Sequence, residues 1–252
     1  MPRPYVSPVN KKELALTLMA VGTIMIVASL AFPWWYLSIE KEGVINKKEV
    51  ETFYLDRGEY DGGDEELDYV YGSDDDPYKH PSEVMQRTII LVYIIAGLAA
   101  VSTAILFLKF KGKEILDLRW MMFLMLFAVL LALIVPMYFS AAFPKSWEYE
   151  YDRAKDDKIP SPYQEKFEPD EIPMFHDTFS GTVKHEFGTE TNRTDETIEW
   201  GGGLGWYLCV LGAITMLASM FVQYRYRFEI FGIQESPYES AETVAEIEIV
   251  EE

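Results

Sequence analysis

The chain contains one cysteine in 252 residues, Cys209, and it falls inside an apolar run. Its polar segments therefore cannot hold a disulfide. Small extracellular domains in oxidising compartments commonly rely on disulfides, so a prokaryotic or archaeal surface is the expected setting. Histidine is almost as scarce, with only His80, His176 and His185. Four long apolar runs contain no Asp, Glu, Lys, Arg or His. Proton relays and coupled transporters place ionisable groups within the membrane, so their lack argues against active transport. It leaves open a passive pore lined by Thr, Ser and backbone and assembled from several chains. No Ser, His and Asp set is apparent, and a lone cysteine in an apolar run is no nucleophile candidate. The Gly-rich stretch Gly201–Gly205 follows no soluble strand–helix pattern and reads as a flexible start to an apolar helix, not a phosphate cradle. The sequence therefore predicts no enzyme, no catalytic residue and no cofactor.

The apolar runs set the organisation. They cover 14–39, 88–108, 120–143 and 201–224, each long enough for a helix to cross the roughly 30 Å hydrocarbon core. Between the second and third lies a short basic loop, 109–119, with Lys109, Lys111, Lys113 and Arg119. Basic loops between spans are held on the cytoplasmic side. Arg3, Lys11 and Lys12 in the tail 1–13 place the start of the first span on the same side. A rival reading of the first run is a cleaved signal peptide, with Ser29-Leu30-Ala31 as a small-x-small cut site. The length of the run and the nearby Pro33 favour an uncut span.

Net charge is -19, and it sits in three segments. Glu40–Val84 carries fifteen acids against five bases, Pro144–Trp200 fifteen against seven, and Tyr224–Glu252 eight against two. Such a surface repels nucleic acid and anionic lipid and attracts cations or basic partners. The expected organisation is two acidic extracellular loops, 40–87 and 144–200, and an acidic cytoplasmic tail, 225–252. Within the first loop, alternation predicts a hairpin: Tyr36–Glu40, a turn at Glu42-Gly43, and a partner within Val44–Leu55. Asp56–Pro81 reads as loop. Phe175–Trp200 reads as two or three short strands around Ser180-Gly181 and Phe187-Gly188. In the tail, Thr243–Val250 could pair as a strand.

Within the spans, Ala96, Ala100 and Ala104 recur every four residues, and Gly205, Cys209 and Ala213 share a face. Both rows suggest close helix packing. Pro136 is expected to kink the third span. All six tryptophans fall at expected interfaces, Trp34, Trp35, Trp147, Trp200 and Trp206 at one end and Trp120 at the other, as headgroup-level anchors. The exits Ala31-Phe32-Pro33 and Ala142-Phe143-Pro144 are alike, either as a weak internal repeat of span, outer loop and span or, the favoured reading, because both answer the same interfacial chemistry.

Metal is not expected. The weak candidates are His176 and His185, each followed by a carboxylate, and the run Asp74, Asp75, Asp76. The histidines match no zinc spacing, and the aspartates lack the alternation, central Gly and closing Glu of a calcium loop. Asn192-Arg193-Thr194 is a glycosylation acceptor pattern, with Asn192 as the candidate residue.

The stretch Pro33-Trp34-Trp35-Tyr36-Leu37-Ser38-Ile39, leading from the first span into alternating sequence, resembles the claudin-like tetraspan proteins. The chain lacks that family's Gly-Leu-Trp motif and loop cysteine pair, and the Cys-Cys-Gly signature of tetraspanins, so no functional residue carries over. The resemblance implies four helices, both termini inside, an outer sheet starting straight from the first span, and a role in adhesion, barrier formation or accompanying another membrane protein. The expected fold is an all-α membrane four-helix bundle with a small β-containing extracellular layer formed by two long loops. The expected function is that of a non-enzymatic surface scaffold, adhesion protein or accessory subunit. Its partners would be the lipid bilayer, another membrane protein or further copies of itself, with cations at the acidic loops and no nucleic acid. The alternatives are a passive channel with an acidic mouth, or an extracytoplasmic metal-binding protein or hydrolase.

Overall fold

The structure is a computed structural model that describes residues 10–43, 46–63, 66–74, 76–113, 115–157, 178–187 and 194–231, without the side chains of 151–157, 185–187 and 228. It is mostly helical, with four helices long and apolar enough to cross a membrane. In chain order the elements are α1 (Lys11–Ser29), β1 (Trp35–Glu42), β2 (Lys47–Phe53), β3 (Arg57–Asp61), β4 (Glu66–Val70), α2 (Lys79–Phe110), α3 (Leu118–Asp157), β5 (Gly181–Phe187), β6 (Thr194–Gly202), α4 (Leu204–Arg225) and the short α5 (Arg227–Phe231). The candidate residues Asp75, His176 and Asn192, and the tail pattern Thr243–Val250, lie outside the described residues.

All six strands form one antiparallel sheet, ordered β4-β3-β2-β1-β6-β5. Two chain segments build it: β1–β4 from between α1 and α2, and β5–β6 from between α3 and α4. They join where β1 pairs β6, with Trp35 opposite Gly202 and Leu37 opposite Trp200. The first apolar run, 14–39, is thus divided between a helix ending at Ser29 and a strand starting at Trp35. The stretch Asp56–Pro81, read as loop, instead holds β3, β4 and the start of α2, and it buries Tyr69, Tyr71 and Tyr78. Its strands escape the sequence pattern because their apolar side is supplied by tyrosine and glycine amid acids.

The 40-residue α3 is about 60 Å long at 1.5 Å per residue, roughly twice the hydrocarbon thickness. It runs as one helix through Pro136 and Pro144. α2 likewise starts at Lys79, nine residues before the apolar run at 88. Both helices therefore stand proud of the other two at the sheet end and give the sheet something to pack on.

The tightest packing is between α1 and α4. A Cβ on Gly22 would lie 2.7 Å from the Gly212 carbonyl, and one on Gly212 would lie 2.8 Å from the Gly22 carbonyl. Only paired glycines allow so close a crossing, the means by which small residues bring apolar helices together. Hydrogen bonds flank it: Ser219 Oγ donates to the Ala15 carbonyl at 2.6 Å, and Thr23 Oγ1 lies 2.9 Å from Thr103 Oγ1 on α2. Gly205, Cys209 and Ala213 are all buried. The Ala96, Ala100, Ala104 row needs correction, because Ala100 and Ala104 are exposed and Ala96 is half-buried. The face α2 buries is Val92, Ile95, Ala99, Ser102 and Leu106. Apolar residues surround this helix, so alanine spacing alone does not tell its inner side from its outer.

Candidate functional site

The sheet is held on the helices by aromatic side chains at its base. Residues 30–34 turn the chain from α1 into β1. Trp34 Nε1 donates to the Ser29 carbonyl at 2.9 Å. The Trp34 N–H donates to Phe53 O at 2.7 Å, and Gly203 N–H donates back to Trp34 O at 2.9 Å. A Cβ on Gly203 would sit 2.3 Å from the Pro33 carbonyl, so the start of α4 is pressed directly against this turn.

Phe139, Phe143 and Trp147 recur every four residues on α3 and so share one face. Trp35 on β1 meets Phe143 edge-on at 5.1 Å and lies 6.1 Å from Trp147. Phe53 on β2 meets Phe143 at 5.6 Å and Trp147 at 5.8 Å. Tyr78, just before α2, meets Trp147 at 4.9 Å. Rings of this size contribute about 1.5–3 kcal/mol each on burial, with about 0.5–1.5 more for each edge-to-face pair. This is where the anchor reading of the tryptophans changes. Trp34, Trp35, Trp147 and Trp200 are buried in protein, and Trp206 is half-buried with Nε1 donating to Pro136 O at 3.1 Å. Trp35 and Trp147 join sheet to helix, Trp206 joins α4 to α3, and Trp200 holds the segment before β5 through the Thr178 carbonyl at 3.1 Å. Trp120, at the opposite end, is 64% exposed.

Two buried carboxylates that the sequence did not single out complete this junction. Glu51, beside Phe53 on the face of β2 toward the helices, accepts from Tyr69 Oη at 2.9 Å and Tyr78 Oη at 3.2 Å. Glu150 on α3 accepts the N–H groups of Lys79 and His80 at 3.0 and 2.9 Å. It thereby caps the start of α2, where Tyr78 offers no side-chain cap. Negative charge at a helix start is favoured by the exposed N–H groups and the helix dipole. Period-two reading could place Glu51 beside Phe53, but the helix-to-helix cap is a tertiary contact with no local signature.

The sheet's two faces treat charge differently. Toward the helices, Glu49 pairs with Lys47 at 2.9 Å and Glu196 with Lys41 at 3.0 Å. On the face turned away, Glu42 stands opposite Asp195, Glu59 opposite Asp68, and Asp61 opposite Glu66. Like charges directly across a strand pair are destabilising, so this face maintains a negative surface at the expense of sheet stability. Glu199 extends it, whereas Glu40 stands opposite Lys48 and Lys184 lies on the same face opposite Thr197. Tyr36 Oη donates to Glu199 at 3.0 Å, and its phenol is shifted upward, first by burial and then by that carboxylate. Arg57 answers Glu59 at 2.9 Å and stacks 4.2 Å over the Tyr54 ring.

Among the described residues no group of three or more His, Cys, Asp or Glu side chains could hold a metal. Asp76 is already used: its oxygens accept from Gly72 N–H at 2.6 Å, Tyr78 N–H at 3.0 Å and Ser82 Oγ at 2.9 Å, which closes the turn before α2. Asp74 is exposed. His185 stands in register with Glu196, and the His80 ring lies 5.9 Å from Tyr149. No protein-family model matches this chain, and no curated protein matches it.

Proposed function

We propose that the chain is a non-enzymatic, multi-pass protein of a prokaryotic or archaeal cell membrane. Its four helices span the bilayer with both termini cytoplasmic, and its sheet forms a rigid acidic platform outside. Its work is to organise or accompany another surface protein, as the resemblance to the claudin-like tetraspan proteins implies. One observation carries the reading: strands from both inter-helix segments are joined in one sheet, fixed to α3 through Trp35, Phe53 and Trp147, with acids paired against acids on the free face. Such a face favours a basic or cation-bridged partner. The basic loop 109–119 supports the orientation.

The test is a mild-detergent pull-down of the tagged protein from its native membrane, with mass determination in solution. The reading expects a stoichiometric partner, lost when Glu59, Asp61, Glu66 and Asp68 are changed to the amides. A self-assembled oligomer without a partner would turn attention to the passive-channel alternative. The path would then lie between chains, because Met19, Ile26, Ile95 and Met216 fill the bundle interior. Conductance in planar bilayers that vanishes when Asp74–Asp76 are neutralised would carry that alternative.

A further inference from the structure

At the end of the bundle opposite the sheet, the short helix α5 turns back beneath the other helices. Ile230 is buried there, Lys11 of α1 is ion-paired to Glu229 and lies 4.1 Å over the Tyr226 ring, and the Phe231 ring lies 6.1 Å from Phe110 at the end of α2. The chain is thereby delivered to the rim of an open groove. Lys109, Ile115, Leu116, Leu118, Arg119 and Phe231 line it, with Asp117, whose carboxylate accepts the Arg119 N–H at 3.3 Å. Ile115 is 55% exposed. Among the described residues Lys109, Lys111, Lys113 and Arg119 make no ion pair. The groove therefore combines two cations that form no ion pair among the described residues, and one carboxylate, with an apolar floor.

The segment that continues from Phe231 has the complementary chemistry. Residues 232–252 contain seven acids and no base, and Glu242-Thr-Val-Ala-Glu-Ile-Glu-Ile-Val250 mixes carboxylates with Val and Ile. We propose that this C-terminal segment docks in the groove of its own chain, its carboxylates on Lys109 and Arg119 and its aliphatic residues on Ile115 and Leu116. Attachment at the groove's own wall makes the encounter intramolecular, which raises the effective concentration to the millimolar range for a short flexible connection. The inference holds whichever side of the membrane this end faces, because loop and tail share it by construction.

The test uses the full chain in nanodiscs of phosphatidylcholine, spin-labelled at Trp120→Cys and Ala245→Cys; native Cys209 is buried and stays unlabelled. Pulsed dipolar spectroscopy reads the distance distribution. A free connection of fourteen residues from Gly232 to Ala245 would spread over about 20 Å. Docking predicts a distribution roughly threefold narrower, broadened to the free width by Glu242→Gln, Glu246→Gln and Glu248→Gln together, and by about 1 M salt, where screening falls to roughly 3 Å. A broad distribution already present in the native chain overturns the proposal, as does a narrow one indifferent to the three substitutions. A distribution narrow in phosphatidylcholine and broad in phosphatidylglycerol assigns the groove to lipid headgroups and overturns it equally.

Discussion

Cys209 Sγ lies 3.9 Å from the carbonyl oxygen of Ala132, the carbonyl left without its helical donor because Pro136, four residues on, has no N–H. In an apolar interior such a freed carbonyl has to find another partner, and the thiol supplies a weak one. Cys209→Ser should keep or slightly raise thermal stability in detergent, since a hydroxyl donates better. Cys209→Ala should lower it by about 1 kcal/mol. Equal melting of the two variants would show that side-chain donation at this position is irrelevant.

The Gly22–Gly212 crossing makes a sharper prediction. Gly22→Ala or Gly212→Ala places a methyl within 3 Å of a backbone carbonyl on the facing helix, and neither backbone can yield without separating α1 from α4. Each should cost about 1–3 kcal/mol as overpacking. Gly97→Ala, where nothing lies within 4 Å, should be neutral or stabilise by up to about 1 kcal/mol through helix propensity. Similar melting of all three variants would refute the close crossing.

These glycines also show how far the sequence can be read. Four apolar runs identify four helices because the lack of charge is a property of composition, and the alternation from Tyr36 onward marks a strand, which the structure starts at Trp35. Which side of a uniformly apolar helix faces its neighbours is not written in composition. The alanine row on α2 therefore does not mark its buried side in this chain, and nothing local in the sequence pairs Gly22 with Gly212, 190 residues away. The strands β3 and β4 were hidden by their acids, whose role becomes visible only when cross-strand register sets Glu59 against Asp68. The tryptophans fall near the ends of the apolar runs, but what Trp35 and Trp147 pack against, each other and Phe143, depends on α3 continuing past its apolar stretch to meet the sheet.

Tyr71 gives a pH prediction. Its phenol donates to the Tyr54 carbonyl at 2.7 Å, and its pKa lies well above 10, first through burial and then through Glu51, Asp76 and Asp56, with Arg57 opposing. Because the folded value exceeds the unfolded one, this contribution is complete below about pH 10 and is lost as pH rises through the folded value. Tyr71→Phe should cost roughly 1 kcal/mol near neutral pH and flatten the alkaline fall in stability. Parallel fall of both proteins above pH 10, followed by tryptophan fluorescence, would remove Tyr71 as the cause.

The opposed acids of the free sheet face predict a protein stabilised by salt. Screening shortens to about 3 Å in 1 M salt, which relieves the Glu42–Asp195, Glu59–Asp68 and Asp61–Glu66 repulsions. Glu66→Lys turns one of these pairs attractive, leaves the Asp61 carboxylate on the Gly63 N–H, and should add about 0.2–1 kcal/mol while reducing the dependence on salt. A melting temperature flat in salt for the native chain would mean that bound cations or unseen pairing already neutralise the face.

The orientation is open to direct chemical test, and the fold chooses the sites. Ser73 and Ser180 are exposed at the sheet end, and Gly112 is exposed at the turn between α2 and α3. A Cβ at Gly112 meets nothing within 4 Å, although its φ of +76° makes a side chain there mildly strained. Because α2 and α3 are antiparallel neighbours, no rearrangement short of unfolding brings Gly112 to the side of Ser73. With the sheet outside, Ser73→Cys and Ser180→Cys should react with an impermeant maleimide on intact cells, and Gly112→Cys only after permeabilisation. The native thiol at Cys209 is buried and gives little background. Reaction of Gly112→Cys on intact cells, with Ser73→Cys protected, would invert the orientation and put the acidic sheet in the cytoplasm. That result would defeat a surface role for the platform while leaving its architecture intact.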